Sequence, residues 1–395
     1  MNKIIEKVLL IFLLIQPFLD VVATTNYSIL NIIVRGLFLL LIVIYLLFNK
    51  KNIAILISTL VSGLILFGIN IYLNFGIVTS ISNVMKLYYL PITILFFVNI
   101  KNSIDNKIIT YVLFIYLILF LSSYIFGFGY NNYKLSDGKQ GFRGIFNSIN
   151  EISAIIIGLL PLALNYLKNK KNYIIFILLI VFAFFVALLT GTKVLMIGLF
   201  IIIIFIYIKS AIKVFKNMST IKKIISIIVI SIIILGGIYL LTYTRFYKNM
   251  LVQQKFFKSY NILSIDFINK VLFNNRLTFL KDNFLFYKNQ SLINIIFGIG
   301  YSNQSIKLVE IDIFDILFRF GIFGLIGFIV PIIYIVKKIK LDKISLFSII
   351  LLILISLTSG HVLLSPNVSI YFGYIILINN KINNWINKIS RFIKS

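Results

Sequence analysis

The sequence predicts an all-α integral membrane protein of about twelve transmembrane helices, and three observations carry that expectation. Of its 395 residues, 60% are hydrophobic and only 12% charged, with a mean hydropathy of +1.05. Soluble globular chains average roughly 45–50% apolar and about 25% charged residues. Continuous apolar runs such as YIIFILLIVFAFFVALL at 173–189 exceed the ~17 residues with which a helix crosses the hydrocarbon. Backbone amides find no water partner there, so a spanning segment is a helix or a strand of a closed barrel. Runs this long and unbroken, rather than short alternating segments, select helices.

Spans are expected at 6–24, 29–48, 53–73, 82–99, 108–127, 149–167, 172–190, 192–208, 224–243, 313–336, 344–360 and 367–380. The first, VLLIFLLIQPFLDVVATT, lacks a small-residue cleavage site and carries Asp20, so it reads as a retained helix rather than a signal peptide. Lys86 interrupts the fourth. Basic residues gather at the N-terminus, in 49–52, 101–107, 168–171, 209–223 and 337–343, and beyond 380, whereas 25–28, 74–81, 191 and 361–366 hold none. Lys and Arg stay cytoplasmic, and short loops report this best, so both termini are expected in the cytoplasm. The same asymmetry accounts for the net charge of +27 without nucleic acid as a partner. The absence of cysteine excludes disulfides and thiolate chemistry. The wealth of Ile, Asn, Lys, Phe and Tyr fits an AT-rich bacterial genome.

Three regions result: 1–243, with nine spans and an outer loop at 128–148; 244–312, an extracytoplasmic unit; and 313–395, with three spans and a basic tail. Within the second, FINKVLFNNRLTFLKDNFLFYK at 267–288 places Ile268, Leu272, Phe279, Leu280 and Phe284 at helical spacing. A single amphipathic helix at the membrane interface is expected there.

Ionisable residues inside spans are costly and mark function by default. Asp20, Arg35, Lys86, Glu151, Lys193, Asp315 and Arg319 all fall in the outer half of their spans, and His361, the one histidine, closes the eleventh at the same depth. That shared depth predicts a site open to the outer face. Structural readings stand beside it. Ser148 and Glu151 form a capping-box pattern; Asp315 and Arg319, four apart, can pair on one helical face; Asp20 and Arg35 can pair between spans. Lys86 and Lys193 can snorkel to headgroups, and His361 can simply close a helix end. Arg143, in GKQGFRG, and Arg276, on the apolar stripe of the interfacial helix, are poorly explained by solvation. A guanidinium suits phosphate oxygens through its two-pronged donor set. Glu310, Asp312 and Asp315 have the oxygen ligands a divalent cation takes, but Lys307 and Arg319 stand close, so no metal is expected. Glycines 298, 300, 321 and 324 permit close backbone approach; Gly298-x-Gly300 lacks the βαβ setting of a dinucleotide fingerprint.

In chain order, GFRGIFNSINEISA, LTGTKVLMIGL, NNRLTF, FGIGYSN, VEIDIFDILFRFGIFGLI and SGHVLLSP resemble the bacterial O-antigen ligase and polymerase superfamily, including Gram-positive capsular and exopolysaccharide polymerases. The resemblance covers essentially the whole chain. It implies a GT-C-like glycosyltransferase of the plasma membrane, working without a cofactor on its outer face. The donor would be a polyprenyl-diphosphate-linked glycan and the acceptor a sugar hydroxyl of a second glycan. A chain-length regulator or a flippase would be protein partners. Arg143 and Arg276 match the family's outer-loop arginines that engage the diphosphate. Arg35, Lys86, Lys193, Arg319, Asn150 and Asp312 complete the candidate substrate-binding set. Members commonly carry histidine after the GxG segment. Here Glu310 and Asp312 stand in that neighbourhood, so Glu310 is the first candidate for the base that takes the acceptor's proton and His361 the second. Polymerisation of lipid-linked repeats is the expected activity. The alternatives are a ligase that moves finished glycan to a terminal anchor, and a transporter or flippase. Transporters, however, place polar groups at the midplane between internal repeats, and no repeat is evident.

Overall fold

The computed structural model describes residues 2–25, 28–50, 52–73, 75–100, 107–132, 141–216, 264–271, 273–300 and 308–377. Its helices in chain order are α1 (Asn2–Val22), α2 (Ser28–Asn49), α3 (Ile53–Tyr72), α4 (Ile77–Asn99), α5 (Lys107–Ile125), α6 (Ile149–Asn169), α7 (Tyr173–Thr190), α8 (Lys193–Lys216), α9 (Ile265–Val271), α10 (Arg276–Lys288), α11 (Leu292–Phe297), α12 (Asp312–Val336), α13 (Lys343–Thr358) and α14 (Pro366–Leu377). A short hairpin of β1 (Tyr130–Asn131) and β2 (Phe142–Gly144) lies between α5 and α6.

Helices α2 through α7 and α12 are long and apolar enough to cross a membrane, and shorter apolar helices cover 193–207, 343–358 and 366–377. The chain is a mostly helical, multi-pass membrane protein. The span expected at 224–243 lies outside the described residues. Helix starts follow local chemistry: Asn172 accepts the Ile175 amide to open α7, and Asp342 accepts that of Ser345 at 3.0 Å to open α13. Gly191, at φ 63°, ends α7 and turns the chain into α8.

Two helices organise the packing. The well-buried α6 contacts α5, α7, α8 and α13, while α4 contacts α2, α3 and α12. Gly158 of α6 lets Leu352 of α13 approach to where a Cβ would stand 3.0 Å away. Buried α14 packs against α4 and α1: Thr93 of α4 donates to the Ser369 carbonyl at 3.3 Å, and the Tyr371 hydroxyl donates to the Leu13 carbonyl at 3.2 Å.

Hydrogen bonds join the connections at each end of the bundle. At the basic end, Asn52 donates to Asn99 at 3.2 Å and Lys338 to Asn52 at 3.1 Å. At the end without basic short connections, Thr24 donates to the Ile145 carbonyl at 3.1 Å and Asn150 to the Ser359 carbonyl at 3.0 Å.

The expected single helix over 267–288 is instead two. Asn274 and Asn275 both adopt left-handed φ, 50° and 68°, between α9 and α10, a conformation Asn tolerates better than most residues. Asn269 bridges the break, accepting the Leu277 amide at 2.9 Å and donating to Thr278 at 2.8 Å. Arg276 therefore opens α10 rather than riding a continuous apolar stripe; Leu272, part of that stripe, lies outside the described residues.

Helix α12 is also interrupted, at Gly321 (φ 67°, ψ −172°). The break frees the carbonyls of Phe318 and Arg319, which accept from the amides of Ile299 (2.9 Å) and Gly300 (3.1 Å). The FGIG segment thus docks edge-on into a gap in a spanning helix, where protein rather than lipid satisfies the backbone.

Candidate functional site

A polar cavity of about 370 Å³ lies at the end without basic short connections. It is walled by the last turn of α1, the early turns of α2, α4, α6 and α12, and the 361–367 connection into α14. Eight of the residues singled out in the sequence line it: Asp20, Arg35, Lys86, Glu151, Asp312, Asp315, Arg319 and His361. Five others, Arg143, Asn150, Lys193, Arg276 and Glu310, do not.

Asp20 and Arg35 form a buried ion pair at 2.7 Å, and the Tyr116 hydroxyl donates to the second Asp20 oxygen at 2.6 Å. Arg35 therefore enters the cavity largely neutralised. Asp312 has both carboxylate oxygens engaged by backbone amides. One oxygen accepts the His361 amide at 2.7 Å and the other the amides of Val362 and Leu363 at 2.8 Å each. Asp315 likewise accepts the Val309 and Glu310 amides, both at 3.0 Å. Both aspartates are anchors that fold the loops flanking the cavity, each oxygen engaged by at least one backbone amide. Among the described residues, no group of three His, Asp or Glu side chains is placed to hold a metal ion.

The capping box is only half formed. Ser148 accepts the Glu151 amide at 3.5 Å, but the Glu151 carboxylate reaches across to the Asn367 side-chain amide at 3.0 Å. Glu151 is thus aimed into the cavity rather than back at its own helix start.

Arg276 and Glu310 stand just behind the wall. Arg276 donates to the Thr358 carbonyl and to Glu310, both at 2.5 Å, and more distantly to the Ser359 carbonyl. Glu310, the first candidate for the base, has its Oε2 engaged by the Arg276 guanidinium and stays outside the lining. Glu310 and His361 both hold positive φ, 59° and 63°, and a Cβ on Gly360 would meet the Glu310 backbone at 2.8 Å. The two loops are pressed together, and Gly360 is the residue that allows it.

Arg143 lies in β2, beside the cavity-lining Asn147. It donates to the Asn147 carbonyl at 3.3 Å and lies 5.2 Å from the ring centre of Tyr130; Asn147 itself lines the cavity. Asn150 ties the start of α6 to the carbonyl of Ser359. Lys193 opens α8 outside the lining. Reading charges alone missed the neutral partners, notably Tyr116, Asn31, Ser365 and Asn367. The S-P-N start of α14 and an Asn early in an apolar run were the available signals.

Fold and cavity together define a class: a multi-pass helical membrane protein whose buried ionisable groups converge at one end of its bundle. A family model described as "O-antigen ligase like membrane protein" matches residues 2–262 and 259–380. The chain belongs to that O-antigen ligase-like family, whose members are membrane glycosyltransferase-type enzymes acting on lipid-linked glycans. No curated protein and no solved structure gives a significant match.

Proposed function

We propose that this protein is a polysaccharide polymerase. It transfers a polyprenyl-diphosphate-linked oligosaccharide repeat onto a sugar hydroxyl of a second lipid-linked glycan, at the outer face of a bacterial plasma membrane. In this reading the basic end of the bundle is cytoplasmic and the cavity end faces outward, as the distribution of Lys and Arg favours. The supporting observation is the convergence of Lys86 and Arg319 from two different helices on one cavity beside His361. Breaking a sugar–diphosphate bond builds negative charge on the leaving oxygen. Fixed cations in a site shielded from water stabilise that charge most where it develops. Arg143, bonded to the cavity-lining Asn147, and Arg276, bonded to Glu310 and the Thr358 carbonyl, are suited to receive the diphosphate as it enters, Arg276 by exchanging part of its present carbonyl and carboxylate contacts for phosphate oxygens.

The test is reconstitution of the purified protein in proteoliposomes with a polyprenyl-diphosphate-linked repeat unit. A ladder of products growing by whole repeats is expected, lost in Arg276→Ala and Arg143→Ala at unchanged protein levels. A single transfer to a terminal anchor without a ladder would make the enzyme a ligase. Normal ladders from both variants would remove the arginines from the mechanism.

A further inference from the structure

Among the described residues, Asp20, Glu151, Asp312 and Asp315 line the cavity and Glu310 adjoins it, and their hydrogen bonds separate these five carboxylates sharply. Both oxygens of Asp20 are taken, by Arg35 and Tyr116. Those of Asp312 are filled by the amides of 361–363, and those of Asp315 by the amides of Val309 and Glu310. Glu310 is ion-paired with Arg276 behind the wall. Glu151 alone both lines the cavity and keeps an oxygen open: Oε2 accepts from Asn367, while Oε1 has no hydrogen bond among the described residues.

Accepting the polymerase reading as its premise, we infer that Glu151 is the general base of the transfer. Its Oε1 accepts the proton of the acceptor sugar hydroxyl as that oxygen bonds to the donor's anomeric carbon. The bond from that carbon to the phosphate oxygen breaks, and its electron pair departs with the polyprenyl diphosphate. Proton, new bond and leaving group are then all accounted for without a further reactant.

The placement suits the role. Glu151 stands in the first turn of a well-buried helix, and its neighbour Asn150 fastens that turn to the Ser359 carbonyl. The carboxylate is therefore fixed relative to the His361 wall on two sides, by Asn150 through the backbone and by Asn367 through its own oxygen. Lys86 lines the same cavity from α4, so cation and base occupy one compartment, as a displacement at a charged leaving group requires. His361 is the rival. Its backbone amide is tied to Asp312, but its imidazole has no hydrogen bond among the described residues, so nothing fixes which nitrogen would accept a proton. A histidine base is normally oriented by a third group. The capping bond of α6 uses the Glu151 backbone amide and not its side chain, so the carboxylate is free for chemistry.

The experiment compares Glu151→Gln, Glu151→Ala, Glu310→Gln and His361→Gln in the reconstituted assay, reading kcat and donor KM separately. Removing a general base costs about 10²- to 10⁴-fold, so that loss of kcat is expected in Glu151→Gln, with donor KM and melting temperature unchanged. Sodium formate added to Glu151→Ala should restore turnover in proportion to its concentration, because a small carboxylate can occupy the vacated space. A merely structural glutamate would give no such rescue. Near-normal kcat in Glu151→Gln overturns the inference while leaving the polymerase reading intact. The same holds if formate restores turnover to Glu310→Ala, or imidazole to His361→Ala, instead. A wild-type protein that transfers nothing removes the polymerase reading, and the inference with it.

Discussion

Arg276, the first residue of α10, pairs with Glu310 at 2.5 Å and with the Thr358 carbonyl at the same distance. One guanidinium thereby joins the 264–300 unit to both loops that flank the cavity. Its two partners are unequal: the Arg276 side chain is 11% exposed and that of Glu310 39%. An ion pair with one half-exposed member is screened, and Glu310→Gln should cost no more than about 1 kcal/mol. Arg276→Ala also removes the charge-assisted bond to the part-buried Thr358 carbonyl, which contributes about 1.5–3 kcal/mol. Thermal unfolding of the two purified variants should therefore show the larger drop for Arg276→Ala. The reverse order would mean that the pair, and not the carbonyl contacts, fastens the unit.

Asp312 should be among the most sensitive positions in the chain. It is 2% exposed and accepts three consecutive backbone amides. Asp312→Ala leaves those amides without an acceptor, at about 1–3 kcal/mol for each buried donor. Amide hydrogen exchange at 361–363 should rise well above that of α13, and the melting temperature should fall. Unchanged exchange there would show that the turn holds itself.

Replacing Asp20 with Asn strands Arg35, which is 6% exposed, beside the cavity. Breaking a buried pair by removing one partner typically costs about 3–5 kcal/mol, whereas replacing both with apolar residues is often far milder. The double variant Asp20→Leu, Arg35→Met should therefore melt above Asp20→Asn alone. Additive losses in the double-mutant cycle would deny the coupling that the 2.7 Å contact implies.

These sites show what the sequence can and cannot convey. That Asp20, Arg35, Lys86, Glu151, Arg319 and His361 share one end of the bundle was legible, because span depth follows from counting residues between basic loops. The helices at 29–48 and 149–167 were legible for the same reason: apolar length is a one-dimensional property. Which oxygens are left open was not legible. Asp312 and Glu151 look alike in the sequence, and only the three-dimensional fold brings the 361–363 amides to one and Asn367 to the other. The break at Asn274–Asn275 was hidden for a different reason. The apolar positions on either side of it stay in helical register, so periodicity ran through a pair of left-handed residues.

The gap in α12 provides the sharpest test of how the fold builds the site. Gly321 lies at φ 67° and ψ −172°, a region open essentially to glycine alone, where another residue stores about 1–3 kcal/mol of strain. Space is equally short: a Cβ on Gly321 would stand 2.2 Å from the Ile296 carbonyl oxygen, and one on Gly298 would stand 2.1 Å from that of Arg319. The two glycines thus enforce each other's geometry, and neither neighbour is a flexible side chain that can swing aside. Gly321→Ala must therefore expel the FGIG segment or rebuild the helix, and either change deprives the Phe318 and Arg319 carbonyls of the Ile299 and Gly300 amides. Arg319 belongs to the cavity wall, so turnover should fall together with the melting temperature. Gly68 of α3 is the matched control, since a Cβ there meets nothing within 4 Å. Alanine at that helical position should be neutral or stabilising by about 0.5–1 kcal/mol. If both substitutions behave alike in melting and turnover, the interruption of α12 is not what sets Arg319 against the cavity.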